Sequence, residues 1–172
     1  GLLVLALIAA TPQSAAAEAC LLEGGTTLGT TASGTGSVAC GASGLISGDR
    51  VTALGDSIIV FADEATAIGY AAIATHTGGV AVGAFSASDR DYAVALGHGA
   101  EAFNDHTIAI GADTQTLGLD SIAIGYQATT GLGHHNAIAI GAGVGTARVN
   151  QVAIGNTANT YTLAGIASAA SL

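Results

Sequence analysis

The pentapeptide Ser121-Ile122-Ala123-Ile124-Gly125 recurs with small changes along most of the 172-residue chain. Its closing glycine returns every 14 residues, with a single step of 16, and marks an anchor position in each copy. The nine anchors are Gly41, Gly55, Gly69, Gly83, Gly97, Gly111, Gly125, Gly141 and Gly155. A fixed period over so many copies indicates similar structural units that stack on one another.

The residues before each anchor alternate in size. Alanine stands two residues before every anchor, whereas large apolar residues occupy most positions one and three residues before it. A period of two predicts a short β-strand with Ile and Val on one face and Ala on the other. The anchor glycine is expected to end that strand, where the chain turns without a Cβ.

A unit of 14 residues has room for two short strands joined by tight turns. The second strand is expected five residues after each anchor, where small and varied residues are typical of a solvent-facing or tapering strand. Its central column is Ile46, Val60, Ala74, Ser88, Ala102, Thr116, Thr130 and Thr146. Polar residues five before each anchor predict a solvated corner. The extra residues of the 16-residue step fall within 131–135, and a loop that bulges there is a natural place for individual function.

The alanine column predicts a contact between chains. An outward strand position in water favours Thr or charged residues, so nine alanines in line indicate a smooth apolar stripe that something covers. Another copy of the chain about a cyclic axis would cover the stripe most economically. The predicted oligomer interface is Ala39, Ala53, Ala67, Ala81, Ala95, Ala109, Ala123, Ala139 and Ala153.

The N-terminal segment resembles part of an export signal. Residues 1–10 are apolar, and a small-residue run ends at Ala17. This stretch is shorter than the roughly 20 residues needed to span a bilayer and is typical of a secretory signal peptide. Export would place the two cysteines where a disulfide can form, so Cys20 and Cys40 are candidates for a bridge. Alternatively, Cys40 is a small hydrophobic residue in a core column.

Charge and residue placement exclude several functions. The chain has 12 acidic residues against three arginines and a net charge of −9, so nucleic acid and anionic membrane are poor partners. The 14-residue register aligns no nucleophile, base and orienting group, and we therefore predict that the protein is not an enzyme and needs no cofactor. We predict no metal site, because the adjacent His134 and His135 are expected to point apart.

The repeat resembles the YadA-like head domain of trimeric autotransporter adhesins, whose repeat has the form Asn-Ser-Val-Ala-Ile-Gly-x-x-Ser. The nearest copies are Asp120-Ser121-Ile122-Ala123-Ile124-Gly125, Asn136-Ala137-Ile138-Ala139-Ile140-Gly141 and Asn150-Gln151-Val152-Ala153-Ile154-Gly155. The resemblance implies an all-β fold, a left-handed parallel β-roll of about nine 14-residue coils, assembled as a homotrimer. The expected division is a partial signal peptide at 1–17, an N-terminal lead-in segment at 18–36, head repeats at 37–155 and the start of a neck at 156–172.

The resemblance also implies a function. A chain of this kind is expected on the cell surface, at the outer membrane of a Gram-negative bacterium, where it attaches to host matrix, cells or surfaces. Contact with the membrane is expected only through an anchor absent from this chain. The candidate ligand-binding residues are Ser121, Asn136, His134 and His135. The alternative is a structural surface fibre or spacer with no ligand site of its own.

Overall fold

A computed structural model describes residues 18–19, 31–32, 34–41 and 43–159. Every regular element in these residues is a β-strand, and the strands form two sheets in which all pairings are parallel. The predicted all-β, parallel solenoid is therefore confirmed. The predicted signal peptide and most of the predicted neck lie outside the described residues.

The strands are numbered in chain order. They alternate between the two sheets up to β17, and β18 also belongs to the first sheet. The first sheet has the order β1 (Glu18–Ala19), β3 (Val38–Cys40), β5 (Thr52–Leu54), β7 (Thr66–Ile68), β9 (Val80–Val82), β11 (Val94–Leu96), β13 (Ile108–Ile110), β15 (Ile122–Ile124), β17 (Ile138–Ile140) and β18 (Val152–Ile154). The second sheet runs, in reverse order, from β16 (Thr129–Thr130) through β14 (Gln115–Thr116), β12 (Glu101–Ala102), β10 (Ala87–Ser88), β8 (Ile73–Ala74), β6 (Ile58–Val60) and β4 (Gly44–Ile46) to β2 (Thr31–Ala32).

Stacking of like residues defines the register of the first sheet. Ala95 pairs with Ala81 on one side and with Ala109 on the other. Across the 16-residue step the column continues without a slip, because Ala123 pairs with Ala139. Between Val38 and Ile154 the chain passes nine times through the first sheet and so closes about eight turns, close to the nine predicted coils.

The strands of the first sheet face the opposite way from the prediction. The alanines from Ala39 to Ala139 in the predicted interface column are at most 2% exposed, and Ala153 packs against the same core. Their side chains fill the interior of a single chain, so the prediction that they form an oligomer interface is wrong. The large Ile and Val side chains point outward instead. The physical reason is the thin coil, whose interior between two short strands has no room for large side chains from both sheets.

The second strand also faces inward. The column five residues after the anchors is buried from Ile46 to Thr130, which excludes the solvent-facing alternative and leaves that of a tapering strand. Further along the rod this column consists of hydroxyl-bearing and small side chains. Buried hydroxyls bond to main-chain carbonyls, as in the Ser88 Oγ to Ala93 O bond of 2.9 Å and the Thr107 Oγ1 to Asn104 O bond of 2.6 Å. These bonds satisfy the hydroxyls without water, as buried polar groups require.

The anchor glycines are needed because the coils stack closely at the end of each strand. Gly97 has a φ of +143°, and a Cβ built on it would lie 2.4 Å from the carbonyl oxygen of Gly111 in the next coil. No side chain fits at that distance from backbone. Close stacking is thus a second reason for glycine at these positions, besides the turn that the sequence predicts.

Among the described residues, no helix has the length and apolar character needed to cross a membrane.

Replacing an anchor glycine should destabilise the rod more than replacing a glycine with open space around it. We expect Gly97→Ala to cost about 3 kcal/mol or more, because the new methyl group displaces the backbone of the next coil. The matched control is Gly143→Ala, where φ is +64° and no atom lies within 4 Å of the new Cβ. That control should cost roughly 1–2 kcal/mol from the left-handed backbone alone. Chemical unfolding followed by circular dichroism measures both, and equal losses would contradict the stacking explanation.

Candidate functional site

The outward side of the first sheet is a continuous apolar surface, which we call the apolar face. It consists of the residues one and three before each anchor. Even within the stacked rod several of these side chains remain well exposed, including Leu96 at 43% and Ile124 at 37%. The apolar face is Val38, Cys40, Thr52, Leu54, Thr66, Ile68, Val80, Val82, Val94, Leu96, Ile108, Ile110, Ile122, Ile124, Ile138, Ile140, Val152 and Ile154.

The outward side of the second sheet changes along the rod. Its column four residues after the anchors begins with Leu45, Ile59 and Ile73 and becomes polar from Glu101 onward. There the Gln115 amide donates a hydrogen bond of 2.6 Å to the Glu101 carboxylate. Only the first sheet therefore presents an apolar surface along the full described length, and it is the stronger candidate for a contact with another molecule.

The first of two polar corners precedes the first-sheet strand of each coil, and we call it the leading corner. All nine of its residues have a left-handed backbone, with φ between 53° and 67°. From Arg50 onward each main-chain N–H donates a hydrogen bond to the coil below, as in the Tyr92 N to Thr77 O bond of 2.9 Å. All of these residues except Gly78 are exposed, which confirms the predicted solvated corner. The leading corner is Gly36, Arg50, Glu64, Gly78, Tyr92, His106, Asp120, Asn136 and Asn150.

Carboxylates beside the leading corner hold the coils together. Asp49 accepts a 2.8 Å hydrogen bond from the Thr35 N–H, and Asp63 accepts one of 2.8 Å from the Asp49 N–H. The bond from Thr35 lowers the pKa of Asp49 from its ordinary value. On the corner itself, Arg50 pairs with Glu64 at 2.8 Å, and the hydrogen bond to Glu64 raises the pKa of Arg50. These charged groups already have partners within the rod.

The second corner follows the first-sheet strand, and we call it the trailing corner; it comprises the residues one and two after each anchor. From Tyr70 to Asp113, large side chains alternate between its two columns, so that each has a small neighbour in sequence. Tyr70 and Phe85 meet edge to face at 5.2 Å, and Phe85 meets His98 at 5.8 Å. His98 lies 3.8 Å from the carboxylate of Asp113 in the next coil. Phe85 is nevertheless 54% exposed, so this row of aromatic rings is accessible to another molecule.

Cys40 lies on the apolar face rather than in the interior, which corrects its expected place in a core column. Its sulfur forms a disulfide, so it is not a free buried thiol. Cys20 lies outside the described residues, and the pairing of Cys20 with Cys40 stays a prediction.

Ser121, predicted as a ligand-binding residue, is fully buried. Its hydroxyl lies 3.0 Å from the carbonyl oxygens of both Leu119 and His134, and it accepts a 3.2 Å bond from the Ala137 N–H. A ligand outside the rod has no access to this group, so the prediction for Ser121 is wrong. Ser121 instead ties the inserted loop to the coil below.

The other three predicted ligand residues are consecutive and lie at the inserted loop. His134 is half-buried, with its Nδ1 3.1 Å from the Thr146 hydroxyl. His135 is exposed, and its Nδ1 accepts a 3.0 Å bond from the Leu119 N–H. Asn136 is exposed on the leading corner and donates a 3.3 Å bond to Asn150. Only His135 and Asn136 thus offer side chains to a ligand.

Within the part of the chain that the structure describes, no group of three or more His, Cys, Asp or Glu side chains is placed to hold a metal ion.

These features define a class of protein, a parallel β-solenoid with one exposed apolar face between two polar corners. Residues 62–86, 91–114 and 117–143 each match the family model of the YadA head domain repeat, which spans two copies. This repeat region is a YadA-like head domain.

Comparison with solved structures gives a further match. The crystal structure of the collagen-binding domain of the Yersinia adhesin YadA is 27% identical in sequence, with a TM-score of 0.38. The match covers 78% of this chain and 63% of that chain, so this chain spans less than two thirds of its length. No match was found among curated proteins.

Removing the Ser121 hydroxyl should weaken the fold. We expect Ser121→Ala to lower the free energy of unfolding by about 1–3 kcal/mol, because buried partners lose their hydrogen bond. The control is Ser57→Ala at the exposed trailing corner, which should change it by less than about 0.5 kcal/mol. Urea unfolding measures both variants. A neutral Ser121→Ala would contradict the structural role assigned to this hydroxyl.

Proposed function

We propose that this chain is the head of a bacterial surface adhesin that attaches to an extracellular matrix or cell-surface ligand. The observation that carries the proposal is the YadA-like head repeat, matched at three places along one uninterrupted rod. Repeats of this kind belong to adhesins, so the proposal assigns no catalytic activity to the chain. It also places the protein at the outer membrane surface of a Gram-negative bacterium, after export.

The proposal includes a homotrimer assembled through the apolar face. An Ile or Val side chain moved from water to a buried site contributes roughly 1.5–3 kcal/mol, and the face presents two columns of such residues along the rod. A monomer would leave this surface in water, where long apolar stripes promote association. A cyclic arrangement covers the same face on every copy. The number three comes from the resemblance to trimeric head domains.

The ligand surface in this proposal lies at the inserted loop and not on the apolar face. His135 and Asn136 are its candidate residues, because both are exposed and stand where the inserted loop breaks the regular step. One observation favours the alternative of a structural spacer. The carboxylates of Asp49 and Asp63, beside the leading corner, accept hydrogen bonds from main-chain N–H groups of neighbouring coils. They therefore serve the rod itself and not a ligand.

A carboxylate on the apolar face should dissociate the assembly. We expect Ile110→Glu to raise the concentration for half-assembly by about 100-fold or more, because burying unpaired carboxylates costs several kcal/mol. The matched control is Ile73→Glu, an equally half-buried outward isoleucine on the second sheet, which should leave the assembly intact. Light scattering at several concentrations gives the mass. A parent protein of single-chain mass would refute the trimer.

Binding to coated surfaces separates the adhesin from the spacer. The trimer should bind surfaces coated with collagen or with mixed extracellular matrix, and His135→Ala combined with Asn136→Ala should reduce that binding several-fold without changing the mass. The double change of Thr129→Ala and Gln115→Ala, on the outward second sheet, is the control. Retention no greater than on an albumin-coated surface would favour the spacer.

A further inference from the structure

The leading and trailing corners of a coil flank the same strand of the first sheet. If copies assemble through the apolar face, as proposed above, the trailing corner of one copy meets the leading corner of the next copy in the coils that precede the inserted loop. Asn136 lies outside this contact. This contact joins two different surfaces, and it closes because the symmetry is cyclic. In a closed ring each coil meets the same coil of its neighbour, whereas a shift of one coil per copy would give an open, staggered assembly.

Matching the corners coil by coil gives a set of complementary pairs. The trailing-corner residue of one copy and the leading-corner residue of the next are Asp56 with Arg50, Tyr70 with Glu64, Phe85 with Gly78, His98 with Tyr92, Asp113 with His106, and Tyr126 with Asp120.

We propose that the two corners form a seam between copies of this chain, in which these pairs fix the axial register. Both acids of the trailing corner then face a basic residue. Both acids of the leading corner face a tyrosine, whose hydroxyl can donate a hydrogen bond to a carboxylate. Phe85 is the largest apolar side chain of the trailing corner, and it faces Gly78, which has no side chain.

A shift by one coil removes this complementarity. In one direction Asp56 meets Glu64 and Asp113 meets Asp120, and such like-charge contacts disfavour the shifted register. In the other direction Phe85 meets Glu64, and Asp120 meets the small side chain of Ala142. A carboxylate placed against a phenyl ring or a methyl group loses water without gaining a partner. Of these three registers, only the unshifted one places a cation or a donor of the neighbouring copy against each of the four acids.

The geometry of the corners presents these side chains to a neighbour. The left-handed backbone at the leading corner holds its side chains at the edge of the rod, and Tyr92 is 56% exposed. Tyr92 stacks on His106 at 5.8 Å with nearly parallel rings, and His106 lies 3.3 Å from Asp120. The leading corner is therefore an ordered row in the free chain, so little side-chain freedom remains to be lost on contact.

Cysteine cross-linking tests the register. Asp113→Cys combined with His106→Cys places thiols on a coil-matched pair, and Asp113→Cys combined with Asp120→Cys places them one coil apart. A disulfide requires Cα atoms about 4.4–6.8 Å apart. Residues 106 and 113 of one chain are separated by β13, which alone spans about 10 Å, so a bond between them must join two copies. Each single-cysteine variant gives the background.

The full chain is oxidised mildly and run on a non-reducing gel. The coil-matched variant should form a species of three times the chain mass in at least tenfold excess over the shifted variant. Tyr126→Cys with Asp120→Cys is a second coil-matched pair, which keeps the test decisive if the first variant folds poorly.

The outcomes separate this inference from the proposed assembly. Cross-linking by the shifted pair, or by no pair in a protein that light scattering shows to be trimeric, overturns the seam and leaves the trimer standing. A monomer by light scattering overturns both.

Discussion

The narrow interior of the coil is the constraint on which the rest of the structure depends. Two strands of two or three residues face each other across it, and only Ala, Ser, Thr and a few Val or Ile side chains fit between them. Such a core buries little apolar area per coil. Stability therefore depends on the ladders of main-chain bonds between coils, as expected for a repeat protein in which each unit contacts only its neighbours. The large apolar side chains are left on the outer side of the first sheet, where several remain well exposed.

The sequence predicts the period, the strands, the glycine turns and the polar corner, because each depends on local chemistry repeated in one column. It does not predict which face of the first strand is the interior. A period of two separates the faces without saying which one is inside, and the usual rule that large apolar residues are buried gives the wrong answer here. A signal was present in the second strand, whose central column is also small from Ala74 onward. Two facing columns of small residues indicate a narrow core between them.

The same error accounts for the predicted site residues. Ser121 was predicted to bind a ligand, but its column is interior and its hydroxyl bonds to main-chain groups. The two histidines of the inserted loop were predicted from the 16-residue step, which is visible in the sequence. Their bonds to Leu119 and Thr146 depend on three-dimensional stacking and have no signal in the sequence. The loop is accommodated at a turn, so the alanine column continues from Ala123 to Ala139.

Regular stacking creates a further problem for assembly. The apolar face repeats nearly the same side chains in every coil, so sliding one copy along another by one coil would bury almost the same apolar area. Apolar burial is non-directional and sets no register between such surfaces. The two corners that flank this face do change from coil to coil, with Arg50, Glu64 and Tyr92 at successive turns of the leading corner. In the proposed seam the corners, where charge and side-chain size differ between neighbouring coils, favour the closed ring over a staggered assembly.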